Sequence, residues 1–228
     1  MTRWVAVLAV SLAVLLGVPL AWSLSRPPSS AGLPLSQALG ASSPGPDGGA
    51  ADPSSVAPSS IPSSVTSSVP TSATGPVVEP AAPVRLRIAA VRVDAAVAPV
   101  GVDANGTMVI PREAALVGWY RFGPAPGAVA GAAVLAGHVD SRDQGPGALY
   151  RLREVPVGAT VEVVDTAGLT RRYRVVSREL ITKKALPTQE LFRRTGPARL
   201  ILITCGGEFD ARLHSYRDNV VVVAQPQP

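Results

Sequence analysis

Beyond residue 84 the chain is written largely with a period of two, and that pattern restricts its fold more than any other feature. Residues 84–88 alternate apolar and basic side chains, and 91–94 alternate apolar and charged ones. Successive side chains of a strand point to opposite faces, so this alternation describes strands with one wet and one dry side. Residues 159–165 and 172–176 read as two further strands, joined by a turn through Thr166, Ala167 and Gly168. Three segments, 132–136, 200–203 and 220–224, are apolar almost throughout and read as central strands buried on both faces. Helices are few and short. One is expected over 147–155, ended by Pro156, and another over 188–194, ended by Gly196 and Pro197. Many short strands between Gly/Pro turns indicate an all-β barrel or sandwich, and no internal repeat is visible.

The segment ahead of this domain has another character. Residues 27–83 contain 12 of the 23 prolines, with many Ser, Ala and Gly, and their only charges are Asp47, Asp52 and Glu79. Too few large apolar groups are present to offset chain ordering, which predicts a disordered or polyproline-II spacer. Before it, residues 4–24 form an apolar stretch of 21 without a charge, flanked by Arg3 and Arg26. At about 1.5 Å per residue it spans roughly 31 Å, enough for a bilayer core of about 30 Å. A membrane anchor at 1–26 is therefore expected, with the amino terminus cytoplasmic and the bulk of the chain outside. Ala21 and Ser23, either side of Trp22, leave a cleaved signal peptide as the competing reading. From residue 84 onward there are 19 Lys+Arg and 13 Asp+Glu, a net of +6. The basic residues are scattered, with no aromatic-interleaved cluster, so no nucleic-acid partner is expected.

Cys205 is the only cysteine, and it ends the apolar run 200–204. In an exported chain a single thiol has no intramolecular disulfide partner, which opens a chemical role beside that of a small buried hydrophobe. Gly206 and Gly207 follow, letting backbone approach a ligand and leaving amides beside the sulfur. His138 ends the strand 132–137 and reaches its rim, where an imidazole can exchange protons near neutral pH. His214 lies in a polar loop and is the weaker base. Arg217 precedes the last strand, where it can hold a carbonyl or a developing oxyanion, or else pair with Asp210 or Asp218. One cysteine, two histidines and no carboxylate cluster predict neither a metal nor a cofactor.

Taken together, these residues resemble the sortase family. The match lies in Gly137-His138-Val139-Asp140-Ser141, in Leu202-Ile203-Thr204-Cys205-Gly206-Gly207 and in Tyr216-Arg217-Asp218-Asn219, in that order. Gly118-Trp119-Tyr120 adds to it, and the resemblance is greatest to the actinobacterial class F enzymes. It covers about residues 84–225. It implies an eight-stranded sortase β-barrel with one or two short helices over 84–228, preceded by a transmembrane helix and a disordered linker. It also implies a cysteine transpeptidase of the cell envelope. Cys205 would attack the Thr–Gly carbonyl of an LPXTG-like sorting signal on a secreted protein to give a thioester. His138 would move the protons and Arg217 would stabilise the oxyanion, while Thr204 would contact substrate. The acceptor would be an amine of a peptidoglycan precursor. In other sortases the arginine directly opens the last strand; here Asn219 holds that place, two residues on from Arg217. Strand period two puts both on one side, so either can reach the site. Two other readings are an L,D-transpeptidase-like enzyme, whose Ser-His-Gly-Cys string is missing, and a non-catalytic envelope-binding module.

Overall fold

The computed structural model of the protein describes residues 28–40 and 80–228. The expected anchor over residues 4–24 and most of the expected spacer lie outside the described residues. Among the described residues no helix is long and apolar enough to cross a membrane.

The first described element is a strand, β1 (Ser30–Gly32), followed by a single-turn helix, α1 (Leu35–Ala38). The barrel then begins with β2 (Pro83–Ile88), β3 (Val93–Val100), β4 (Val117–Tyr120) and β5 (Ala132–Gly137). A two-stranded ribbon follows, β6 (Asp140–Ser141) with β7 (Gly145–Pro146). The chain returns through β8 (Thr160–Asp165) and β9 (Thr170–Thr182), then the helix α2 (Thr188–Leu191). It ends in β10 (Arg199–Asp210) and β11 (Ser215–Pro226). Neighbours in the sheet run β1-β9-β11-β10-β5-β4-β3-β2-β8, and a further β8–β9 pairing closes eight of these strands into a barrel. The β5–β10 and β3–β4 pairs are parallel and the rest antiparallel. Parallel neighbours need long crossovers, and the crossover from β5 to β10 carries more than sixty residues of the domain.

The three runs without alternation become β5 and the adjoining parts of β10 and β11, the barrel's most deeply buried strands. Even positions of β10 and β11, such as Leu200, Leu202 and Val222, pack with Leu86, Leu135 and Val163 on one side of the sheet. Odd positions, Ile201, Ile203, Val221 and Val223, form a second cluster on the other side. Period two thus survives in these strands; both sides are simply dry.

The helix expected over 147–155 is corrected. Leu149, Leu152 and Val155 recur every three residues and are fully buried. That spacing suits a 3-10 turn, and the bonds from Leu152 N–H to Leu149 O (3.0 Å) and from Val155 N–H to Leu152 O (3.2 Å) close it. The helix expected over 188–194 is present but shorter, as α2.

The spacer expectation is corrected for residues 28–40. β1 adds to the part of β9 beyond its pairing with β8, with Ser30 opposite Glu179 and Gly32 opposite Ser177. Gly32 has φ +88, and a Cβ there would come within 2.3 Å of the Val176 carbonyl. Glycine is therefore required by both conformation and space. After it, Leu35, Ala38 and Leu39 are buried against Val134, Ile201, Val221 and Val223. Arg199 Nε fixes the end of α1 by donating to the Ala38 carbonyl at 2.9 Å.

Candidate active site

Parallel pairing of β5 with β10 aligns Arg199 with Ala132 and Ile203 with Ala136. That register is an offset of 67, and the same 67 residues separate His138 from Cys205. Continued by two residues, it puts imidazole and thiol at one level of adjoining strands, whose axes lie about 5 Å apart. Thr204 makes the join. Its hydroxyl, 3% exposed as a residue, donates to the Gly137 carbonyl at 2.8 Å, one step before the level of His138 and Cys205. The expected substrate contact from Thr204 therefore gives way to a structural one, because this side chain faces inward while Cys205 faces out.

Cys205 is a free, half-buried thiol on the same side as Ile201 and Ile203. Across β11 its register partner is Asn219, and across β9 the row continues to Ile181. The β10–β11 register shifts between Gly206 and Phe209, immediately beyond the sulfur. Gly207 has φ +74, and a Cβ on it would lie 1.9 Å from an Asp218 carboxylate oxygen. The two glycines thus interrupt the ladder beside the Cys205 sulfur.

His138 is half-buried, and its Nε2 lies 2.8 Å from the Pro111 carbonyl. A carbonyl can only accept, so Nε2 carries a proton and Nδ1 is the other reactive position. Its backbone is held by the N–H of Leu149, which donates to the His138 carbonyl at 3.1 Å. Among the described residues the thiol has no hydrogen bond to the imidazole. Apo catalytic pairs commonly tighten only when substrate arrives.

Arg217 sits two residues before Asn219 on β11. Its guanidinium lies 3.3 Å from Glu208 and 3.4 Å from Asp210, with its side chain 56% exposed. Of the two partners expected from sequence, Asp210 is engaged and Asp218 is not; Glu208 is the addition. Exposed ion pairs of this kind contribute at most about 1 kcal/mol, so the guanidinium is free to exchange them for a substrate group. Asp210 is held below the usual carboxylate range, first by the backbone N–H groups of Arg212 and Leu213 and then by Arg217. His214 lies at the exposed hairpin tip with φ +47, away from the His138–Cys205 level.

Sequence reasoning gave no role to Tyr216 and Asp140. The Tyr216 hydroxyl donates to the Asp140 carboxylate, linking the β10–β11 hairpin to the β6–β7 ribbon that follows His138. Its phenol is pushed up to about 12, chiefly because that bond requires the proton. Phe209 meets the Tyr216 ring edge-on at 5.2 Å between centroids. Only the three-dimensional hairpin brings these residues together, and no local motif announces it. Among the described residues there is no group of three metal-ligating side chains.

A free thiol, an imidazole at its level and an exposed guanidinium on the neighbouring strand are the kinds of group that acyl transfer uses. The description of the sortase domain family matches residues 86–227, nearly all of the barrel. The chain belongs to the sortase family. Solved sortases are among the structures it is similar to. Sortase C1 of Streptococcus agalactiae, in complex with MTSET, is 18% identical with a TM-score of 0.50, over 64% of this chain and 70% of that one. Sortase A of Corynebacterium diphtheriae, a lid mutant, is 15% identical with a TM-score of 0.49, over 64% and 70%. Sortase C-1 of Actinomyces oris is 20% identical with a TM-score of 0.47, over 64% and 73%. Comparison with curated protein sequences gives no match. The eight-stranded sortase barrel expected from the sequence is the barrel observed.

Proposed function

We propose that this sortase is a membrane-anchored cysteine transpeptidase of the class F type, acting outside the cell on secreted proteins that carry an LPXTG-like sorting signal. The observation that carries the reading is the common level and common side of His138 and Cys205, fixed by the β5–β10 register. The Cys205 thiolate attacks the Thr–Gly carbonyl carbon, and the resulting oxyanion is met by Arg217, with Asn219 across from the sulfur assisting. Collapse breaks the C–N bond, and imidazolium His138 delivers the proton to the departing glycine amine. A thioester remains. An amine, such as that of a peptidoglycan precursor, then attacks it, His138 takes the amine's proton, and the thiolate leaves.

The test is incubation of the protein with an LPXTG-like peptide and an amine, with mass analysis of enzyme and products. The expected result is a thioester adduct on Cys205, with loss of the residues after threonine, and a product joined to the amine. Cys205→Ala should give neither. An intact peptide across a library of such motifs would refute the reading. Localisation is tested separately, by flotation of the full chain with vesicles.

A further inference from the structure

Residues 28–40 are docked on the barrel, so whatever precedes residue 28 meets the folded domain at β1. The direction of β1 matters here. Running antiparallel to β9, it places Gly32 at Ser177 and Ser30 at Glu179. One residue earlier, the Ser29 carbonyl accepts from Leu180 N–H at 3.0 Å. Followed backward, the chain climbs toward the level of Ile181, which shares its row with Asn219 and Cys205. Arg178, buried and bonded to the Val155 carbonyl at 2.8 Å, also donates to the Pro28 carbonyl at 2.9 Å. The chain therefore enters the barrel at its catalytic end, and it enters firmly held.

That end carries an unusual surface. The hairpin tip between β10 and β11 shows Leu213 74% exposed and Phe209 50% exposed. Beside it stand exposed Lys183, Lys184 and Arg212, and Lys183 Nζ donates to Ser215 Oγ at 2.7 Å, fastening the lysine to the hairpin. The acidic groups here are Glu208, Asp210, Asp218 and Asp140; the first two are answered by Arg217, and Asp140 accepts from the Tyr216 hydroxyl. Protruding apolar side chains beside lysines and arginine suit the interface of an anionic bilayer.

We propose that β1 and α1 form a strap that turns the catalytic end of the barrel toward the membrane, with the β10–β11 tip resting on anionic lipid. This rests on the anchored reading of residues 4–24 above. Between Leu24 and the first strap contact only residues 25–27 intervene, a reach of roughly 10 Å at full extension. The active site is then kept at the lipid surface instead of sampling the full length of a Pro/Ser-rich spacer.

The test uses the full chain in vesicles of phosphatidylcholine and phosphatidylglycerol, in a Cys205→Ala background so that one introduced thiol can carry a fluorophore. Labels are placed by Leu213→Cys at the tip and by Val129→Cys in the loop leading into the opposite end of β5. The expected result is flotation with the vesicles and quenching by spin-labelled lipid at 213 but not at 129. Flotation with equal quenching, or none, at both positions overturns the proposal and leaves the anchor standing. Failure to float overturns both. Leu35→Asp with Ala38→Asp, which unlatches the strap, should retain flotation and abolish the difference; a persisting difference overturns the role given to the strap.

Discussion

Thr204→Val is the most informative perturbation of the site, because it alters one atom at the join between β5 and β10 and preserves the side chain's shape. The Thr204 hydroxyl gives a 2.8 Å bond to the Gly137 carbonyl, and both residues are buried. Losing it deprives a dry carbonyl of a partner, a cost of about 1–3 kcal/mol. For a domain of this size each kcal/mol lowers the melting temperature by roughly 3 °C, so a fall of about 3–9 °C is expected. The bond sits one residue before His138 and Cys205, so the thiol–imidazole spacing should loosen as well. Activity should then fall more than tenfold at a temperature where the variant is fully folded, since a misplacement of about 1 Å can cost a hundredfold. Thr204→Ser keeps the donor and should recover most of the rate. Thermal melts followed by circular dichroism, and peptide cleavage at 25 °C, separate the two effects. A valine variant that is both as stable and as active as the parent would refute the argument that this hydroxyl sets the site.

Arg217→Ala should sharply reduce thioester formation while changing stability by less than about 0.5 kcal/mol, since its ion pairs are exposed; near-normal thioester formation with loss in Asn219→Ala instead would transfer the role to Asn219. Leu35→Ala should lower stability by about 2–4 kcal/mol if the strap is part of the core, as chemical denaturation will show, whereas a free spacer would tolerate it unchanged. Gly207→Ala combines φ +74 with a Cβ 1.9 Å from the Asp218 carboxylate, so loss of fold or of activity is expected in melting and cleavage assays. Tyr216 binds its proton more tightly folded, near 12, than unfolded, near 10. Its contribution to stability is therefore complete below pH 10 and is lost as pH rises toward 12, and Tyr216→Phe should flatten that part of the pH–stability curve.

The barrel was legible because strand patterning is local: alternation and dry runs can be read residue by residue. That His138 and Cys205 would stand near one end of the sheet was legible for a related reason, since one dry run ends in Gly-His and another in Thr-Cys. What the sequence does not print is the register that joins them, and Thr204 was accordingly assigned to substrate when its inward side bonds Gly137. Arg217 and Asn219 were recognised as sharing a side and Asp210 as a partner of Arg217, but Glu208 joins them only where the β10–β11 register shifts. The Tyr216–Asp140 bond spans 76 residues and leaves no local trace.

The strap shows where composition misleads. Averaged over 27–83, proline, serine and alanine dominate, and the average predicts no core. Docking depends on a few side chains instead: Leu35, Ala38 and Leu39 on one side, and a glycine at 32 that alone permits the backbone to approach Val176. None needs high mean hydropathy, because the receiving surface is already built by Ile201, Val221 and Val223. For those residues the strap is the cover they lack, since an outer sheet side this apolar would otherwise face water. The dry outer positions of β10 and β11 thus imply a covering segment somewhere in the chain, and a short helix beside a strand edge with unpaired backbone groups satisfies both requirements together.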